Sequence, residues 1–292
     1  MQTIYLILAA FILALVLMQL NQRLGSPVLA IAFRWLRWLI LTFSAATFCH
    51  GLKLIDRPYW VLAVAFFVLW FLGETLYNWL AISAHSLSAL PLFPRYSVNT
   101  TGEEWPVQPR LLRIREWLRA EGFRQVQALK AEIGGGVFLR VSVYHDAQAT
   151  VRVQVTFIPQ GNGALSVCHA ITTVTADGSR YLTDNLHIPF GGFYPENWFV
   201  ERAPWCRSLP RLLARHHARL QRAGLTGVPF TTEPLADFND VQRELDRLNT
   251  ELGFLHPAGK REDLGKFTHE GRYRVWKEIW MLNYLGRSAR YE

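Results

Sequence analysis

The sequence predicts a membrane α-helical N-terminal block of three transmembrane helices, followed by a soluble α+β domain with a five-stranded antiparallel meander and flanking helices. Three observations support this fold class. Residues 1–83 contain three long apolar runs and only seven charged side chains. Between about residues 123 and 187, apolar and polar residues alternate with a period of two, which is typical of half-buried strands. On either side of that stretch, apolar residues recur with helical spacing.

The apolar runs predict spanning helices near residues 4–20, 35–54 and 60–82, because about 20 apolar residues cross a bilayer core as an α-helix. The chain opens without a basic segment or a small-residue cleavage motif. We therefore interpret the first run as a retained helix rather than a signal peptide. For the second run, a helix lying in the membrane interface is the alternative, because Arg37 stands near its start and Lys53 near its end.

The distribution of charges in the short connections predicts the sidedness. Three arginines surround the first connection (Arg23, Arg34 and Arg37), whereas Asp56 offsets Lys53 and Arg57 in the second. Further arginines follow the third run. By the positive-inside rule, the N-terminus is expected outside and the C-terminal domain in the cytoplasm. The predicted localisation is a multi-pass protein of a bacterial inner membrane, with the lipid bilayer as its first partner.

Glu74 is an ionisable residue within the third apolar run, where a carboxylate is costly and often functional. With His50 and Asn78, it forms a candidate membrane polar site that could line a proton or ion path. The alternative is a carboxyl group near the cytoplasmic end that is protonated or bonded to a neighbouring helix.

We divide the remaining chain into a connector at 84–109, an α+β domain at 110–224 and a C-terminal helical extension at 225–292. Prolines interrupt the connector, and a helix is expected at 110–121. Turn signals separate five strands, expected near 123–132, 136–144, 149–158, 164–175 and 179–187. Because short connections join antiparallel neighbours, these strands form a meander. A loop at 189–205, rich in Gly, Pro and aromatic residues, follows and is expected to be a lid or a strap.

A helix capped by Ser208 is expected to run to about Ala223. Four arginines share one face of it: Arg211, Arg215, Arg219 and Arg222. Such a face can meet anionic lipid or nucleic acid, or it can simply be solvated. The net charge of residues 84–292 is only +5 and is not clustered, so we do not expect a nucleic-acid partner.

Two later helices offer candidate partner-binding surfaces. Five apolar residues are spaced three and four apart, as in a short coiled-coil seam: Phe238, Val241, Leu245, Leu248 and Leu252. This seam could pair with another subunit, with a copy of itself or with the preceding helix. A last helix near 270–285 places Trp276 and Trp280 on one side, which suits a membrane interface, a partner groove or burial inside the domain.

The sequence contains no phosphate-binding glycine loop, no zinc or calcium motif and no nucleophile elbow, so neither a cofactor nor a metal is predicted. A polar set nevertheless falls around the expected sheet. Its members are His145, Asp146, His169, Asp184, Asn185 and His187. The last four are the candidate catalytic residues for metal binding or acid–base work. No third ligand is fixed, and the alternative is a structural role, which is commoner for isolated histidines on strands.

The run from Thr175 to Asn185, TADGSRYLTDN, and the later Leu212-Leu213-Ala-Arg-His216 segment resemble a pattern in uncharacterised membrane-anchored bacterial proteins. In those proteins a strand, an Asp-Gly turn and a second strand precede a helix that carries Leu and His. The resemblance implies a bacterial membrane protein with a C-terminal antiparallel β domain and implies no activity.

From these features we expect a non-enzymatic, membrane-anchored subunit that scaffolds or senses within a larger inner-membrane complex. One alternative is a membrane-associated hydrolase or transferase that uses the polar set on the sheet. Another is a small ion-conducting or membrane-perturbing protein, such as a defence effector, that uses Glu74.

Overall fold

The computed structural model describes residues 2–24, 26–101, 105–159 and 165–288, with the backbone alone for residues 2–4, 23 and 24. The side chain of Arg23, which entered the sidedness argument, lies outside the described part of the chain.

Three long helices form the N-terminal block: α1 (Gln2–Leu24), α2 (Pro27–Gly51) and α3 (Tyr59–Leu87). Each is long and apolar enough to cross a membrane. The prediction of three such helices is therefore confirmed in their number, length and composition. The second helix packs along both α1 and α3. Large apolar side chains such as Leu6 and Leu69 are exposed on the outside of the block, which suits contact with lipid tails.

A mixed seven-stranded sheet forms the centre of the second part, and the expectation of five strands is therefore wrong in number. The strands are β1 (Tyr96–Val98), β2 (Arg124–Gly134), β3 (Val137–His145), β4 (Arg152–Pro159), β5 (Leu165–Val174), β6 (Arg180–Asp184) and β7 (Trp198–Arg202). They lie in sequence order. All neighbouring pairs from β1 to β6 are antiparallel, whereas β7 is parallel to β6.

The five predicted strands correspond to β2–β6. The two additional strands lie at the edges, in segments assigned to the connector and to the aromatic loop. With three and five residues, they are too short to show a clear period of two. The parallel edge is possible because residues 185–197 provide the long crossover that parallel neighbours require.

Helices cover both faces of the sheet. The larger core lies between the strands and two helices, α4 (Pro109–Ala120) and α5 (Leu209–Arg222), and buries Tyr144, Phe157 and Leu212. On the opposite face, Phe238 of α6 (Pro234–Glu251) packs on Leu129, Val141 and Val143. The alternation along β3 explains this arrangement, because successive side chains point to opposite faces.

The chain ends with a short helix α7 (Arg261–Leu264) and with α8 (His269–Trp280), which continues into a π-helical turn at Met281–Leu285. Helix α8 packs against α3, and the π-helical turn packs against α2. The C-terminal end therefore returns to the N-terminal helices. A second link joins the α7–α8 loop to the end of α3, where the hydroxyl of Ser86 accepts a hydrogen bond from the backbone N–H of Phe267 at 3.0 Å.

Candidate functional site

Two of the candidate catalytic residues, His169 and Asn185, lie side by side in the structure. His169 is on β5, and Asn185 directly follows β6. The Asn185 side-chain oxygen accepts the backbone N–H of His169 at 2.7 Å, and its Nδ2 donates to the carbonyl of Cys206 at 2.9 Å. These two bonds fix the orientation of the amide, so its Nδ2 also faces His169 Nδ1 at 3.3 Å.

This contact defines the tautomer of His169. Because Nδ2 of Asn185 can only donate, Nδ1 of His169 is the acceptor and the proton of the neutral imidazole is on Nε2. That nitrogen is buried and has no hydrogen-bond partner among the described residues. Burial lowers the pKa of His169 to about 4, so the ring is neutral near pH 7. The site thus contains a buried N–H donor without an acceptor.

His169 and Asn185 line a cavity of about 690 Å³, which we call the junction cavity. Its walls come from the sheet, from α4 and from the elbow between α1 and α2. The polar lining residues are Asn21, Gln22, Ser26, Arg110, Ser166, His169, Asn185, His187 and Arg207. None of the described lining residues is a carboxylate. The cavity is therefore rich in hydrogen-bond donors and lies where the domain meets the membrane helices.

His187 also lines the junction cavity, and its Nδ1 is a second buried atom without a partner among the described residues. Burial, followed by the nearby Arg34 and Arg202, lowers the pKa of His187. Arg34 belongs to α2, so the imidazole lies at the contact between the domain and the membrane block.

Asp184 does not join this group, because its side chain lies among Arg202, Tyr194 and Glu278. The Arg202 guanidinium is 3.4 Å from Asp184 and 3.5 Å from Glu278, and it donates to Tyr194 Oη at 3.2 Å. Burial raises the pKa of Asp184 despite the guanidinium beside it. This buried ion cluster connects β6, β7 and α8, which carry Asp184, Arg202 and Glu278 respectively.

His145 and Asp146 are also separate from the junction cavity and have structural partners. His145 accepts a hydrogen bond from Arg152 at 2.9 Å, and burial lowers its pKa. Asp146 accepts the hydroxyl of Thr150 at 2.8 Å and the N–H of Val151 at 2.9 Å, closing the turn between β3 and β4.

Two groups in the junction cavity, Cys168 and His169, are poorly suited to nucleophilic or acid–base chemistry near pH 7. Burial raises the pKa of the Cys168 thiol to about 11, so the reactive thiolate is scarce. His169 carries its proton on the nitrogen that points away from Asn185, and that nitrogen therefore has no free lone pair for a proton or a metal. Donors of this kind bind the oxygen atoms of a ligand.

Of the membrane polar site, the structure brings together Glu74 and Arg37, whose charged groups are 3.9 Å apart. Asn78 lies one turn further along α3. His50 is near the opposite end of α2, where it contacts Tyr59. It lies thirteen positions after Arg37 along the helix, or about 20 Å at 1.5 Å per residue. His50 and Glu74 do not share a site.

The arginines of α5 are partly neutralised by the neighbouring strand. Arg215 pairs with Glu201 at 2.6 Å, and Arg219 donates to the carbonyl of Leu182 at 2.9 Å. Arg211 and Arg222 are exposed. Ser208 stands at the N-terminal cap of the helix, but its side chain makes no capping hydrogen bond.

The apolar seam of α6 is largely used within the chain. Phe238 and Leu245 are buried, Val241 and Leu248 are half-buried, and only Leu252 is exposed. Trp276 packs in a cluster with Ile82 of α3. Trp280 contacts the rings of Trp38 on α2 and Phe71 on α3, with centroids 6.0 and 5.1 Å apart.

Several residues of the site were not singled out from the sequence. Arg110 and Arg207 lie at the junction cavity, and Arg202 and Glu278 form the buried ion cluster. Each partner is distant in sequence, so no spacing could have paired them. The one sequence signal that could have indicated the junction cavity is Asn21-Gln22, which places two amides where the first apolar run ends.

Among the described residues, no three His, Cys, Asp or Glu side chains are grouped to hold a metal ion. Comparisons with protein-family models, with curated proteins and with solved structures give no match for this chain.

Proposed function

We propose that the protein is a membrane-anchored, non-enzymatic subunit that holds its α+β domain in a fixed orientation at the membrane surface. It would act as a scaffold or sensor within a larger inner-membrane complex, with the domain in the cytoplasm.

The packing of α8 against the membrane block carries this proposal. Trp280 and Tyr284 contact Trp38 on α2, and the indole of Trp35 donates to the carbonyl of Tyr284 at 3.1 Å. A domain that merely needed attachment would require only a flexible linker after α3. Here the domain is joined to the helices at both of its ends, and that arrangement suits a protein whose orientation matters to a partner.

The chemistry of the polar set supports a non-enzymatic role. Cys168, the thiol that lines the junction cavity beside this set, has a raised pKa, and the imidazole of His169 presents a donor instead of a base. Both properties favour binding over turnover.

Extraction from native membranes in a mild detergent tests the proposal. We expect the wild-type chain to migrate in native electrophoresis as a complex larger than the monomer, with a second protein in constant stoichiometry. The Trp280→Ala variant should lose this complex, whereas Tyr273→Ala should keep it, because Tyr273 is on the same helix and half-exposed. A wild-type chain that is strictly monomeric would contradict the subunit role.

The orientation is tested separately with trypsin. Intact right-side-out spheroplasts should protect the domain, and inverted vesicles should expose it. Digestion of the domain in intact spheroplasts would place it outside and overturn the cytoplasmic assignment.

A further inference from the structure

The junction cavity has the features of an anion site. Two exposed arginines, Arg110 and Arg207, lie at its wall, and no described lining residue carries a negative charge. Arg110 anchors its guanidinium by donating to the carbonyl of Leu165 at 2.8 Å. The two guanidinium groups are close enough that the charge of Arg110 helps to lower the pKa of Arg207, after burial. Two neighbouring cations attract an anion.

Helix N-termini add to this positive potential. Ser26 and Pro27, at the start of α2, and Arg110, in the first turn of α4, all line the cavity. Neither helix has an acidic residue in its first turn, and neither N-cap makes a side-chain hydrogen bond. The positive ends of the two helix dipoles therefore add to the attraction of an anionic ligand.

His169 provides an independent observation that points to a ligand. Its side chain is nearly fully buried, at 3% exposure, and its Nε2–H has no acceptor among the described residues. A buried donor without an acceptor destabilises the folded chain. A ligand oxygen in the cavity would supply the acceptor, whereas a cation would be repelled by the N–H.

The position of the cavity identifies the source of that oxygen. Its wall includes Asn21 and Gln22, which are the last two residues of the apolar span of α1 (Tyr5–Gln22), and Ala30 of α2. Arg34 and Trp35, the type of residues found at a membrane interface, come one turn further along α2. The elbow between α1 and α2 therefore lies at the depth of the lipid headgroups.

We propose that the junction cavity binds the phosphodiester headgroup of an anionic phospholipid from the surrounding membrane. The phosphate oxygens would accept from His169 Nε2 and from the guanidinium groups of Arg110 and Arg207. The acyl chains would run along the exposed apolar face of α1 and α2. The volume of about 690 Å³ is within the range of ligand sites and accommodates one headgroup.

Binding of short-chain lipids to the delipidated protein tests this proposal. The probes are dioctanoyl phosphatidylglycerol, dioctanoyl phosphatidylcholine and inorganic phosphate, and native mass spectrometry measures the bound fraction. We expect one phosphatidylglycerol per chain, with a Kd at least tenfold lower than that for phosphatidylcholine. Equal affinity for the two lipids would overturn the proposal, and competition by inorganic phosphate at the same concentration would assign the cavity to a soluble anion instead.

Substitutions of the lining residues test whether phosphatidylglycerol binds in the junction cavity. The double variant Arg110→Gln/Arg207→Gln should raise the Kd for phosphatidylglycerol at least tenfold. The control Arg211→Gln removes an exposed arginine of α5 that does not line the cavity, and its Kd should stay within twofold of wild type. His169→Leu should also weaken binding, and His169→Gln, which keeps an N–H donor, should recover part of it. An unchanged Kd in the double variant would overturn the proposal.

A measurement on the wild-type chain alone tests the proposal even if the variants fail to fold. A phosphatidylglycerol with a photoreactive group near the phosphate should label peptides that contain residues 21–30, 165–169 and 204–207. Labelling confined to the outer faces of the three helices would show ordinary lipid contact and would contradict a specific site.

Discussion

The indole of Trp280 lies beside the indole of Trp38, with ring centroids 6.0 Å apart, although 241 positions separate the two residues in the sequence. Trp38 is almost fully buried, stacks on Phe67 at 4.6 Å and donates its indole N–H to the carbonyl of Phe67 at 3.2 Å. The last helix is thus part of the same packing unit as the first three, and the sheet domain is inserted between them.

Trp280→Ala should loosen this unit. Truncation of a well-packed aromatic side chain costs about 3–5 kcal/mol, and we expect a value near 3 because Trp280 is half-buried. Trypsin should then cut at Arg272 and Lys277 at a protein concentration and time at which wild type stays intact. Tyr273→Ala, on the exposed side of the same helix, should cost less than about 1 kcal/mol and leave the digestion pattern unchanged. Equal protection of both variants would refute the structural role of Trp280.

The sequence established that the last helix is amphipathic and aromatic, but not which surface it covers. An interface with lipid, a partner groove and burial within the chain produce the same spacing of Trp276 and Trp280. Choosing between them requires knowing that α2 presents Trp38 at the same depth, and a contact between the two ends of the chain has no local signature. The pairing of Arg202 with Glu278 could not be predicted for the same reason, because the two residues are distant in sequence and no local pattern connects them.

A buried charge pair connects α6 to the sheet. Asp237 bonds both Arg152, which is 2% exposed, and Arg180. Asp237→Ala leaves Arg152 without its carboxylate partner, and removal of one member of a buried pair costs about 3–5 kcal/mol. The matched control is Asp240→Ala, one turn away, whose pair with Arg243 is exposed and worth at most about 1 kcal/mol. Urea unfolding in detergent, followed by tryptophan fluorescence, should show a large loss for the first variant only; equal losses would contradict this assignment.

The sheet shows which strands can be predicted from the periodicity of the sequence alone. Strands β2–β6 were predictable because alternation along eight or more residues, or a turn signal on each side, marks them. The edge strands β1 and β7 depend on a neighbour for their definition. Tyr96 pairs with Ala131, and Trp198 pairs with Arg180, so their conformation is imposed by the sheet and not by their own few residues.

Glu74→Gln tests the ion-conducting alternative. Because Glu74 is close to Arg37 and His50 is far from both, we expect a structural ion pair and no continuous polar path. Vesicles that contain the wild-type protein should pass protons no faster than empty vesicles, and the variant should not change this rate. The variant should lower the thermal unfolding midpoint. A proton flux that is present in wild type and lost in Glu74→Gln would support conduction.

The stability of the domain should fall in mild acid because of His216. Its ring is fully buried between α5 and the sheet, and Thr173 and Thr183 bond its two nitrogens at 3.0 and 2.9 Å. Burial, with smaller contributions from His217 and Arg219, lowers its pKa from 6.5 to about 3. Below about pH 6.5 the unfolded chain therefore binds a proton that the folded chain excludes, so unfolding is favoured as the pH falls toward the folded pKa.

Each pH unit within this window removes about 1.4 kcal/mol, so lowering the pH from 7 to 5 should remove about 2 kcal/mol through His216. His169, with a pKa of about 4, should contribute a similar loss. Replacement His216→Gln should lower stability at pH 7 but reduce the slope of stability against pH by about 1.4 kcal/mol per pH unit below pH 6.5. The control Leu213→Ala removes buried volume from the same helix without removing a titratable group, and should lower stability by the same amount at each pH. A slope that is unchanged in His216→Gln would show that this imidazole is protonated in the folded chain as easily as in the unfolded one.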